Sequence, residues 1–172
     1  MNRTLLLIRH GKSSWDNEHL SDLERPLTSR GVRNSTDMAH WVTREQLVPD
    51  MLFSSPATRA LTTARIMFQT WNLPPDKLQV HEELYMAGEK EIREVLGRAS
   101  DDLATVALFG HNPTFTDFAN RFLLDPLDNL PTTGLVAVHL TLESWSALDK
   151  GRVQDTRVMF PRLLEGGTPW SK

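Results

Sequence analysis

Arg9 and His10 end a short apolar run, Thr4-Leu5-Leu6-Leu7-Ile8, and are followed at once by Gly11. A second apolar run, Thr105-Val106-Ala107-Leu108-Phe109, ends as abruptly at Gly110-His111-Asn112-Pro113. Between the two lies Arg59, just beyond Ser54-Ser55-Pro56-Ala57. Two histidines and two arginines without a carboxylate-rich cluster are suited to gripping a phosphoryl group and passing it through an imidazole. A neutral histidine attacks phosphorus in line, and the resulting phosphohistidine is hydrolysed by water. Guanidinium forks match phosphate oxygens bidentately, with charge-assisted bonds about twice as strong as neutral ones. A second, protonated histidine would offset the charge developing on the equatorial oxygens.

These groups are useful only if the fold brings them together. The runs at Thr4–Ile8 and Thr105–Phe109 read as buried strands, as does Met51-Leu52-Phe53-Ser54, with a shorter strand at Leu78-Gln79-Val80. The segment from Lys12 to Glu24 is polar and without periodicity, which predicts a long surface loop. Thr28 is placed to cap a helix running to about Arg44 and burying Val32, Met38, Ala39 and Val42. Ser55-Pro56 reads as the opening of the next helix, which puts Arg59 in its first turn, where backbone N–H groups add to an anion-binding field. That helix continues to about Trp71. Further helices are expected over Glu89 to Ala99 and Thr114 to Leu123. Two consecutive strands, near Leu135 to Leu142 and Val153 to Phe160, precede a tail from Leu163 that is expected to be loosely held.

Strands alternating with helices predict a three-layer α/β/α sandwich: a mostly parallel central sheet with one antiparallel edge strand. In such folds ligands bind beyond the carboxyl ends of the strands, where Arg9, His10 and His111 fall, with Arg59 close by. At 172 residues, 40% hydrophobic and 24% charged, the chain reads as one globular domain spanning residues 1–172. Its net charge of −3 offers no general attraction to nucleic acid, so any phosphate affinity must come from a local cluster. The absence of cysteine removes disulfides, thiolate nucleophiles and zinc–thiolate sites. The first apolar stretch is too short for a signal peptide or a membrane span, so a cytoplasmic location is expected. Neither metal nor cofactor is called for.

The ordered motifs together resemble those of the histidine phosphatase superfamily, the phosphoglycerate-mutase-like enzymes. The resemblance rests on Arg9-His10-Gly11, then Pro26-Leu27-Thr28 with Gly31, then Ser54-Ser55-Pro56-Ala57 with Arg59, Thr63 and Ala64, then Gly110-His111-Asn112-Pro113. It implies a phosphoglycerate-mutase-like fold, His10 as nucleophile, Arg9 and Arg59 as phosphate clamps, and His111 as the second phosphate-binding histidine. The start Arg9-His10-Gly11-Lys12-Ser13-Ser14-Trp15, the Arg25-Pro26-Leu27 stretch and the short chain are most similar to SixA-type phosphohistidine phosphatases. That implies a phosphorylated protein as substrate, such as a histidine phosphotransfer domain. Arg25 and Ser13 join the substrate-binding candidates, against the alternatives that Arg25 pairs with Asp22 or Glu24 and that Ser13 is simply solvated. Trp15 matches the family or else seals the core.

One departure bears on the substrate. Many members of the superfamily carry a general acid in a Leu-x-Glu stretch midway along the chain; here the stretch is Leu84-Tyr85-Met86. An alkoxide leaving group needs a proton, help worth on the order of 10²–10⁴ in rate, whereas imidazole is a far better leaving group. The missing acid favours P–N over P–O cleavage. Two rivals stay open: a small-molecule phosphomonoester phosphatase with Glu82 or Glu83 as its acid, and a catalytically idle phosphate-binding adaptor.

Overall fold

Strand β1 (Asn2–Arg9) is central because Leu5, Leu6, Leu7 and Ile8 are all fully buried, which only a strand covered on both faces allows. In this computed structural model, which describes residues 1–166, β1 pairs in parallel with β4 (Thr105–Gly110) and antiparallel with β5 (Leu135–Thr141). Outward from β4 lie β2 (Met51–Ser54) and β3 (Leu78–Val80), both parallel; outward from β5 lies β6 (Arg152–Met159), antiparallel to it. The sheet order is therefore β3-β2-β4-β1-β5-β6. The antiparallel β5–β6 pair closes one edge as expected, and the single reversed strand is β5, one place in from that edge.

Alternation along β1 sorts the core into two halves. Leu5 and Leu7 pack with Ile92, Val95 and Leu96 of α3 (Glu89–Leu96) and with Phe115 and Phe118 of α4 (Thr114–Ala119). Leu6 and Ile8 pack with Met38, Ala39 and Val42 of α1 (Ser29–Arg44) and with Ala64 and Met67 of α2 (Thr58–Thr70). A last short helix, α5 (Pro161–Leu164), lays Leu164 on the same half.

The Thr28 cap is present: its hydroxyl accepts the Gly31 N–H at 3.0 Å, a contact worth about 1 kcal/mol. Val32, expected in the core, is instead 42% exposed; the buried stripe of α1 runs through Gly31, Ser35, Met38, Ala39 and Val42. Gly31 itself is buried because the backbone of Lys12 passes so close that no Cβ fits. Helix α2 starts at Thr58 rather than at Ser55, and α4 stops at Ala119. There the Asn120 side chain exchanges two 2.8 Å hydrogen bonds with the backbone of Leu127, which turns the chain out of the helix. Helix α3 likewise gives way at Gly97. The Lys12–Glu24 loop is more structured than its composition predicts: Ser13 bridges to Leu27, and Asp22–Glu24 forms a 3₁₀ turn. Of the tail, α5 is ordered against the core, while residues 167–172, Gly167 and Pro169 among them, lie outside the described residues.

Candidate active site

The carboxyl ends of β1, β2 and β4 meet the start of β5, and backbone hydrogen bonds lock the four ends together. His10 N–H donates to Gly110 O (3.1 Å), Ser55 N–H to Phe109 O (3.0 Å) and Thr133 N–H to His10 O (3.0 Å). Gly11 N–H donates to Thr63 Oγ1 (2.9 Å), whose hydroxyl donates to Arg59 O (2.7 Å), which ties the first turns of α2 to the end of β1. Gly110 is glycine because the Phe115 ring sits where a Cβ would be, letting α4 follow directly on His111.

All four principal residues converge here. The rings of His10 and His111 are 5.2 Å apart between centroids. His10 Nδ1 lies 2.7 Å from Gly11 O; as an N–H donor to that carbonyl it leaves Nε2 with its lone pair free, the tautomer a nucleophile requires. Burial, assisted by the charges of Arg59 and Arg9, lowers the His10 pKa from 6.5 to about 4, against the opposing Gly11 hydrogen bond. Burial, then the proximity of His10, Arg59 and Arg9, lowers that of His111 to about 3. Both rings are neutral at pH 7. The protonated second histidine expected from the sequence is thus disfavoured here: burial, with His10, Arg59 and Arg9 close by, outweighs the opposing charge of Asp22.

Arg9 donates from Nη1 to Leu130 O at 2.9 Å, an oxygen that also accepts from Asn112 Nδ2 at 3.0 Å. One carbonyl thus links the clamp to the histidine loop. Arg59 is held by Asp22, donating from Nη1 to its backbone oxygen (2.6 Å) and from Nη2 to its carboxylate (3.0 Å). Arg25 donates to the same carboxylate from Nε (3.1 Å) and Nη2 (3.0 Å), and from Nη1 to Ser13 Oγ (2.7 Å). Arg25 therefore holds both Ser13 and Asp22, the latter also paired with Arg59. Trp15 does not seal the core: it is 73% exposed, its ring lying 3.6 Å from the Arg25 guanidinium.

Asp22, Tyr85, Ser55 and Thr133 also belong to this cluster of contacts, and the sequence reading placed none of them there. Tyr85 donates its hydroxyl to Asp22 Oδ2 (2.8 Å) and packs edge-on to His111. Partial burial alone would raise the Asp22 pKa, but hydrogen bonds from Tyr85, Arg59 and Arg25 overcome it and hold it at about 2. Thr133 is buried with φ of 61° beside the His10 carbonyl. Among the described residues, the buried side-chain polar atoms without a hydrogen-bond partner are Arg9 Nε, Arg59 Nε, His111 Nδ1, Thr133 Oγ1 and, outside this cluster, His81 Nε2. Each such group costs about 1–3 kcal/mol, and four in one place point to a ligand that completes them.

A neutral imidazole beside two arginines at the strand ends of an α/β sandwich is an arrangement suited to phosphoryl transfer. Residues 5–123 match the histidine phosphatase superfamily (branch 1), and the chain is an enzyme of that superfamily. An uncharacterised protein of Mycobacterium tuberculosis is 30% identical over 112 residues, 65% of this chain and 67% of that protein. An uncharacterised chloroplastic protein of Arabidopsis thaliana is 27% identical over 128 residues, 70% of this chain and 59% of its own length. Among solved structures, the fold is similar to the protein histidine phosphatase SixA in complex with tungstate, with a TM-score of 0.73 at 23% identity, covering 94% of this chain and 99% of that one. It is also similar to a mycobacterial glucosyl-3-phosphoglycerate phosphatase, with a TM-score of 0.64 at 15% identity, covering 90% and 98%.

Proposed function

We propose that the chain is a metal-independent phosphatase whose substrate is a phosphohistidine carried on another protein, such as a histidine phosphotransfer domain. His10 Nε2 attacks phosphorus in line as the P–N bond to the substrate imidazole breaks, and that imidazole leaves with a proton from solvent. Water then cleaves the phospho-His10 bond, releasing inorganic phosphate. Arg9 and Arg59 bear the charge that develops on the equatorial oxygens.

The observation that carries the choice of substrate is the lining of the cleft beside His111. This cleft of about 290 Å³ is formed by Leu84, Met86, Ala87, His111, Asn112, Pro113, Thr114 and Phe115, none of them a carboxylate. Glu83 is paired with Arg98 at 2.6 Å; its own backbone N–H and that arginine keep it ionised. Asp22 lies against Arg59, but with a pKa of about 2 it has no proton to give at neutral pH. A site without a positioned acid favours a leaving group that needs none. The mouth also suits a protein: Trp15, Leu23 and Met86 are 73%, 38% and 86% exposed on the loops around it.

The test is a side-by-side assay on a phosphohistidine protein and a panel of phosphomonoesters. The phosphohistidine protein is expected to turn over far faster; comparable rates on simple esters would sink the reading. Activity lost to a chelator and restored by a single cation would contradict metal independence.

A further inference from the structure

A neutral His111 carries one N–H, and which ring nitrogen holds it decides whether the ring donates to a phosphoryl oxygen or repels it. Ser55 governs that choice. It is fully buried, its Oγ lies 2.7 Å from His111 Nε2, and the same oxygen accepts the Ala57 backbone N–H at 3.2 Å. With one N–H already directed at Oγ, the hydroxyl proton needs an acceptor, and among the described residues His111 Nε2 is the group in place to accept it. We propose that Ser55 donates to His111 Nε2 and so fixes the Nδ1–H tautomer, making a neutral histidine a hydrogen-bond donor to the phosphoryl group.

The reverse assignment is worse on two counts. Nε2–H donating to Oγ leaves a buried hydroxyl proton without an acceptor. It also leaves Nδ1, which is buried and unpartnered, presenting a lone pair beside phosphoryl oxygens. Only the first assignment makes that orphan nitrogen a donor, matching the orphan N–H groups of Arg9 and Arg59. The gain is a third donor for the phosphoryl oxygens beside Arg9 and Arg59, without another cation and without a titration near neutral pH. The low pKa of His111 agrees with this, since the ring need never be protonated to act. Ser55 works through His111 and is a positioning residue.

The donation to phosphate rests on the phosphoryl-site reading above; the tautomer does not. Long-range ¹H–¹⁵N correlation spectra of the labelled protein at pH 7 read it directly, and Nδ1–H is expected. Ser55→Ala should return His111 toward Nε2–H, the form free imidazole side chains prefer. It should also weaken binding of inorganic phosphate or tungstate about tenfold or more, the effect of losing one hydrogen bond to a charged ligand. Ser55→Thr, which keeps the hydroxyl, should retain both properties. A wild-type spectrum showing Nε2–H overturns the proposal even if Ser55→Ala fails to fold. So does a folded Ser55→Ala protein with an unchanged tautomer and unchanged phosphate affinity. Wild-type protein that shows Nδ1–H yet binds neither anion overturns the phosphoryl-site reading and leaves the Ser55 assignment standing.

Discussion

Strand β1 carries an arginine near each end, Arg3 buried and Arg9 partly buried, and the fold treats the two in opposite ways. Arg3, 2% exposed, donates from Nε to Leu142 O (3.1 Å), from Nη1 to Leu103 O (2.7 Å), and from Nη2 to Asp101 O and Glu143 O (2.8 Å each). Its guanidinium also lies 5.4 Å from the Trp145 ring centroid. Arg9 has one carbonyl, that of Leu130, and a buried Nε with no partner among the described residues. The same residue type on the same strand has a partner for every guanidinium nitrogen at the Arg3 end. The chain can cage a guanidinium, so the incomplete set at the Arg9 end supports the phosphate site proposed above rather than a packing defect.

The largest effect should come at the incomplete end, from the one group that forms a bond. His10→Ala is expected to lower turnover by about 10³-fold or more and to leave no labelled phosphoenzyme to trap. Hydrolysis retained in that variant would remove the nucleophile from the mechanism. A wild-type protein that also yields no phosphoenzyme under burst conditions would instead favour an idle phosphate-binding adaptor.

The arginines separate next. Arg9→Ala should weaken phosphate binding about 100-fold, the loss of charge-assisted bonds to an anion, with little change in the unfolding midpoint. Arg3→Ala should do the reverse: it strips donors from four carbonyls at once and is expected to cost about 3–5 kcal/mol in urea unfolding while folded protein still binds phosphate. If both variants lose stability equally, the contrast between the two ends of β1 is wrong.

The two ends also differ in how far sequence reveals them. Arg9, His10, Arg59 and His111 were legible because each sits at the end of an apolar run or beside a local turn signal, and α/β topology carries strand ends to one place. The residues that complete the site are joined only by contacts between distant segments. Asp22 meets Arg59 and Tyr85 across long separations, and its nearness to Arg25 in sequence suggested only a surface ion pair. Ser55 carried the signal of a helix cap, but its hydroxyl faces His111 and the helix begins three residues later. Thr133 had no signal, since nothing in Pro131-Thr132-Thr133 announces a left-handed residue beside the nucleophile. The Arg3 cage was invisible for the same reason: its acceptors are backbone oxygens, which every sequence has.

Acid should act on the two ends unequally. The histidine pKa values fall from 6.5 in the unfolded chain to about 4 for His10 and about 3 for His111 on folding. Between 6.5 and those values the unfolded chain binds protons that the folded chain refuses. This part of the stability is therefore present above pH 6.5, falls as pH drops through the window, and levels off below it. Ring C–H resonances of both histidines should stay fixed from pH 8 to 5 and move only near their folded values. Either one titrating near 6.5 would show that the pocket is more hydrated, and the second histidine more often charged, than the geometry indicates. Arg3→Ala should lower the stability curve without altering this histidine window.

The smallest expected effect tests the choice of bond. Glu83 belongs with Arg3 rather than Arg9: its carboxylate is paired with Arg98 and does not line the cleft beside His111, and Glu82 sits exposed on the same 3₁₀ turn (Glu82–Leu84). If neither supplies a proton, the double variant Glu82→Gln, Glu83→Gln should hydrolyse a phosphohistidine protein at a rate within about twofold of wild type, since exposed ion pairs contribute at most about 1 kcal/mol to the fold. A collapse of phosphomonoester turnover in the same variant would identify one of them as a general acid reached by movement of the turn. The enzyme would then be a small-molecule phosphatase whose Met86 departure misled. An unchanged rate on the phosphohistidine protein, with esters poor before and after, would place the discrimination where the cleft lining puts it: in a leaving group that departs without help.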